Sequence, residues 1–160
     1  MKRKLILIAV VIMFMFTGCS LGEKKVNISN SEKLKLKPNE VIENYFKYYG
    51  EKSRTGILST LTPWQNKPNT NFEFDNLKSI NLINIVEDSN LKQKEAYMKY
   101  GRGSVNGVKE ENVRIYKVTF DVKCKKDDAS AFTTGRNVEW FTVVRKNKNS
   151  PWLIDNHGEV

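Results

Sequence analysis

Apolar residues come first as one unbroken run, Leu5 to Phe16, behind Lys2-Arg3-Lys4. From Ser20 to Lys37 they are scattered: Val26, Ile28, Leu34 and Leu36 each stand among polar neighbours. At Pro38, a residue favoured in a helix's first turn, the pattern becomes periodic. Val41, Ile42, Tyr45, Phe46 and Tyr49 fall on one helical face, with Glu40, Glu43, Asn44 and Lys47 on the other and Gly50 as a stop. Ile57, Leu58 and Leu61 predict a shorter helix ended by Thr62-Pro63, with Trp64 folding back over that pair. Leu77 to Val86 reads as a strand apolar on both faces, which suits a central strand. Leu91 to Tyr100 carries a ragged helical stripe that also fits a polar strand, and Gly101 to Gly107 is a turn-rich loop. Val113 to Lys125 alternates strictly: Tyr116, Val118, Phe120, Val122 and Cys124 against Lys117, Thr119, Asp121 and Lys123. Asp127-Asp128 ends it. Val138 to Lys146 is a further strand, and Trp152, Leu153 and Ile154 make a last short one after the turn at 147–151.

Helices followed by antiparallel strands predict an α+β domain, with the N-terminal helices packed on one face of a curved sheet. The order of elements resembles the nuclear-transport-factor-2-like, or cystatin-like, fold. The residues that carry the likeness are Pro38-x-x-Val41-x-x-x-Tyr45-Phe46, then Glu139-Trp140-Phe141-Thr142-Val143-Val144, then Pro151-Trp152-Leu153-Ile154-Asp155. With the N-terminal segment, residues 38–160 are similar to lipoproteins of low-GC Gram-positive bacteria in the domain-of-unknown-function family 4829. The resemblance implies a cone of sheet around the first helices, often with a cavity. Tyr45, Tyr49, Tyr116, Phe120, Trp140 and Trp152 are the aromatics that could line such a pocket or simply fill a core. It implies no catalytic residue.

The run from Leu5 to Phe16 is too short for a spanning helix, which needs about 20 apolar residues, and matches a secretory signal. Phe16-Thr17-Gly18-Cys19 resembles the lipobox of bacterial lipoproteins, which implies a diacylglycerol thioether on Cys19 and cleavage after Gly18. Three segments follow: a removed signal peptide over 1–18, a lipidated cysteine with a disordered tether over 19–37, and one domain over 38–160. Multiple acyl chains hold a protein firmly at a membrane without spanning it. The expected address is the extracytoplasmic face, with the membrane as a partner through the lipid. Lys24, Lys25, Lys33, Lys35 and Lys37 make the tether basic, a feature that suits anionic lipid or a solvated linker equally.

The net charge of +9 shrinks under this division. Three positive charges lie in the signal and a surplus of three in 19–37, which leaves three for the domain. The basic clusters at 123–126 and 145–148 lack interleaved aromatics, so no nucleic-acid partner is expected. Gly101-x-Gly103-x-x-x-Gly107 has neither dinucleotide nor P-loop spacing. The pairs Glu87-Asp88, Glu110-Glu111 and Asp127-Asp128 lack calcium-loop spacing, and neither metal nor cofactor is implied. Cys124 shares a phase with Val122 and reads as a small core residue, although neighbouring lysines would favour a thiolate. Asp155 and His157 form an acid–base pair on one face of a segment read as a fraying tail. The positions assigned inward hold tyrosines and one thiol but no carboxylate and no histidine, with Glu139 free to point either way. That phase argument favours a binding module with no catalytic residue. The alternatives are a small isomerase- or dehydratase-like cavity enzyme and a toxin-immunity lipoprotein.

Mass spectrometry of the protein from its native membrane is expected to find a mature chain beginning at diacylated Cys19. An unlipidated chain beginning elsewhere would refute the lipobox reading.

Overall fold

The computed structural model describes residues 29–67, 69–126 and 133–159. The signal segment, Cys19 and the Asp127-Asp128 strand end lie outside the described residues, as does most of the expected tether. Its last part is a helical turn, α1 (Asn30–Lys33), and Leu36 packs against the core. The chain then forms α2 (Pro38–Gly50), α3 (Arg54–Thr60), β1 (Leu77–Glu87), α4 (Leu91–Tyr100), β2 (Val113–Cys124), β3 (Gly135–Val144) and β4 (Leu153–Glu159). The four strands make one open antiparallel sheet in the order β1-β2-β3-β4.

Helix α2 forms where the periodicity predicts. Pro38 starts it, and the Glu40 carboxylate accepts a 2.7 Å hydrogen bond from the Lys37 backbone N–H, satisfying a donor that no helical turn can reach. Its apolar face lies on the sheet against Val118, Phe120, Val122, Phe141, Val143 and Ile154. Phe46 sits between Phe120 and Phe141, at 4.8 and 5.7 Å between ring centres. Helix α3 docks on α2 closely because Gly56 has no side chain. A Cβ there would stand 2.5 Å from the Tyr48 ring.

Two expectations are corrected. The doubly apolar strand is β1, and it is an edge rather than a central strand; β2 has neighbours on both sides. Its outer residues Ile83 and Val86 are about half exposed, so hydrophobicity on both faces reflected partial rather than complete burial. Residues 91–100 take the helical one of their two readings, begun by the Asn90 side chain accepting from the Lys92 N–H, and this later helix does not share the face that α2 and α3 cover. Tyr97 of α4 joins Val113, Ile115 and Val144 in a second buried cluster on the face opposite α2. The last strand extends through His157, which is half-buried and stacked on Phe141 at 5.0 Å. It is part of the sheet and not a tail.

Burial governs the tyrosines. It raises the Tyr45 hydroxyl well above its usual pKa, assisted by Tyr49 and Glu139, and is the leading cause at Tyr49 and Tyr97 as well. Tyr116 is pushed up to about 12, by burial first and by Glu87. A raised folded-state pKa means that this stabilisation is complete below the unfolded value, near 10, and is lost as pH rises through the folded value. Urea titrations are therefore expected to show stability falling steeply above about pH 10, while tyrosinate absorbance lags until unfolding. Ionisation of all tyrosines at ordinary pH in a chain that stays folded would contradict this.

Candidate functional site

The strand β4 carries one irregularity, and the site is built on it. Val143 pairs with Ile154 and Thr142 with Asn156, which leaves Asp155 as an extra residue, a β-bulge. Ile154 points into the α2 core. Asp155 points to the other face and is only 2 % exposed. A buried carboxylate needs donors, and three are supplied. Thr62 Oγ1 donates to Oδ1 at 2.9 Å, and the Tyr97 hydroxyl donates to Oδ2 at 2.6 Å. Asn106 Nδ2 donates to Oδ2 at 3.3 Å and to the Tyr97 oxygen at 2.7 Å. Arg102 Nε lies 3.8 Å from Oδ2.

Backbone contacts fix the same point. Thr62 N–H donates to the Ile154 carbonyl at 2.9 Å, and Gln65 Nε2 to the Asp155 carbonyl at 3.2 Å. Leu61 makes a parallel bridge with Ile154. The segment after α3, helix α4 and the loop at 101–108 thus converge on one side chain. Between them is a cleft of about 470 Å³, floored by Asp155. Trp64, Val108, Pro151 and Leu153 supply apolar wall, and Arg102, Arg145 and Lys146 supply positive charge. This is within the ordinary size of a small-molecule site, mostly apolar with a few placed polar groups. Recesses of about 440 and 480 Å³ lie beside Phe72–Asn76 and against β1, but neither is lined by a buried charged group.

Trp64 was expected to fold back on the chain before it. It stands 48 % exposed at the cleft, with the Arg102 guanidinium 4.2 Å and Lys67 Nζ 4.7 Å from its ring. None of the six aromatics expected at a pocket lines this cleft. Tyr45, Tyr49 and Phe120 are buried between α2 and the sheet; Trp140 is on the opposite face, and Tyr116 and Trp152 border other recesses. Cys124 is buried in the α2-side core.

The chain belongs to the DUF4829 family. The family described as Domain of unknown function (DUF4829) matches residues 39–158, which takes in both α2 and the bulged strand. No curated protein and no solved structure matches the chain.

The inward face of this DUF4829 domain also differs from expectation. The bulge shifts β4 by one position, so His157 joins the face of Ile154, toward α2. Its Nδ1 lies 2.9 Å from Glu139 Oε2 and its Nε2 3.4 Å from the Tyr45 hydroxyl. The ring thus bridges a carboxylate on one side and a phenol on the other. The inward positions therefore do include a histidine and a carboxylate. Arg102 and Asn106 come from the glycine-spaced loop, which carried no recognisable motif. A carboxylate next to Ile154, inside an apolar strand, was the one available sign that Asp155 had a buried partner.

Replacing Asp155 by Leu leaves several buried donors unmatched and is expected to cost about 3–5 kcal/mol of stability. Tyr97→Phe removes one charge-assisted bond and is expected to cost about 1.5–3 kcal/mol. Urea midpoints measure both, and a fully stable Asp155→Leu protein would show that Asp155 does not organise the site.

Proposed function

We propose that this protein is a lipid-anchored, extracytoplasmic binding module whose ligand occupies the cleft over Asp155. The lipobox-like Phe16-Thr17-Gly18-Cys19 supports the anchor and the address. The observation that carries the binding reading is the junction itself. A buried carboxylate holds three separate segments around an open space with an apolar wall and a charged rim. Preorganisation of this kind lowers the cost of ordering groups when a ligand arrives. We read the sheet with α2 and α3 on one face as a small nuclear-transport-factor-2-like fold, on element order alone. In this reading the binding space lies outside the α2 core, whose interior is filled by Tyr45, Phe46, Phe120 and Phe141.

The contact between His157 and Glu139 favours an enzyme as the second reading. Against it, the hydroxyl that His157 meets belongs to Tyr45, which is 4 % exposed and raised in pKa by its burial. A substrate has no route to that oxygen without opening the α2 face.

The test uses the full chain purified from its membrane. A small molecule co-purifying with it should be released on denaturation and identified by mass spectrometry. Val108→Trp, which fills the cleft, is expected to lose it; equal retention by both proteins would place binding elsewhere.

A further inference from the structure

The cleft is unbalanced in charge. Arg102, Arg145 and Lys146 line it against one carboxylate, Asp155, and that carboxylate is already served by Thr62, Tyr97 and Asn106. At 3.8 Å, Arg102 Nε is an ion-pair neighbour of Asp155 and is beyond hydrogen-bond distance. The Nε atom is nonetheless buried, and it meets no acceptor among the described residues. A buried N–H without an acceptor costs free energy, more for a charged group. The guanidinium is also held in place, with its carbon 4.2 Å from the centre of the Trp64 ring. Stacking fixes the plane of the guanidinium, and the side chain, 30 % exposed, lines the cleft with the part that its buried Nε does not account for. Arg145 is fixed in the same manner, over Trp152 at 4.5 Å and with Nε donating to Asn112 Oδ1 at 2.9 Å.

We infer that the cleft takes an organic oxyanion, a carboxylate or a phosphate monoester on an apolar body, whose oxygens bond the Arg102 fork. This rests on the binding reading given above and names the ligand class. Asp155 does not repel such a ligand from the fork, because its charge is compensated by its own donors and turned toward Thr62 and Tyr97. Arg145 and Lys146 add a positive field at the rim. Val108, Pro151 and Leu153 take the apolar body. Two oxygens of a carboxylate or a phosphate can accept parallel bonds from a guanidinium, which a neutral amide with one oxygen cannot do.

The experiment measures binding to the full chain in lipid nanodiscs by ligand-observed NMR, with empty nanodiscs as the blank. The probes are phenylpropionate, its isosteric amide phenylpropionamide, phenylpropylamine, and phenyl phosphate. The expected result is that phenylpropionate or phenyl phosphate binds at least about tenfold more tightly than the amide. That preference should vanish in Arg102→Gln, weaken in Lys146→Gln, and persist in Lys78→Gln, a distant change on β1. Whether carboxylate or phosphate binds better identifies the source of the oxyanion. Arg102→Lys keeps the charge without the fork and should lose most of the preference; if Arg102→Gln fails to fold, this variant decides. Equal binding of acid and amide, or tighter binding of the amine, overturns the oxyanion inference and leaves the cleft as a binding site. If every probe shows only blank-level signal, the oxyanion inference is overturned. A ligand that still co-purifies with the native chain and is lost in Val108→Trp would then leave the binding reading intact.

Discussion

A carboxylate cannot be buried without donors, and in this molecule that single requirement organises half the structure. Asp155 draws Thr62 from the segment after α3, Tyr97 from α4 and Asn106 from the following loop. Two of the three donors, Tyr97 and Asn106, come from segments with little apolar surface of their own. Helix α4 buries chiefly Tyr97, and the loop at 101–107 has no apolar residue but Val105, which is 74 % exposed. Hydrophobic burial alone would hold these pieces weakly. Charge-assisted hydrogen bonds, stronger than neutral ones, set their position.

The two faces of the sheet are thereby unlike in their physics. On the α2 side, packing dominates: rings of Phe46, Phe120 and Phe141 interlock with aliphatic residues from all four strands. On the other side a polar network dominates, flanked by the smaller cluster of Val113, Ile115 and Val144. The bulge at Asp155 is where the two meet. It lets consecutive residues, Ile154 and Asp155, be buried on opposite faces, and it turns His157 back to Phe141 and Glu139.

This division also explains what was legible in the sequence. Periodicity located α2, α3 and β2 because their residues repeat with the period of the element that buries them, and β3 was legible as a short apolar run ended by a turn. It also supported the α+β class. It misjudged β1, since an edge strand half-covered on both faces has the same composition as a central one. It missed the site for a different reason. A bulge changes the phase of a strand without any change in residue type, so Asp155 and His157 were each assigned the wrong surroundings. Arg102 and Asn106 share one loop, and they gain their meaning only from Trp64 and Asp155, which lie far from that loop along the chain.

The bonds that close the cleft also span long stretches of chain: 93 residues separate Thr62 from Asp155, and 58 separate Tyr97 from it. The α2 core spans the chain in the same way, since Phe46 packs on Phe120 and Phe141 and α2 shares its core with Ile154. Every such contact requires loop closure before it returns any stabilisation. Both faces of the sheet therefore tie the first helices to the last strand, and neither face can be completed by one half of the chain alone.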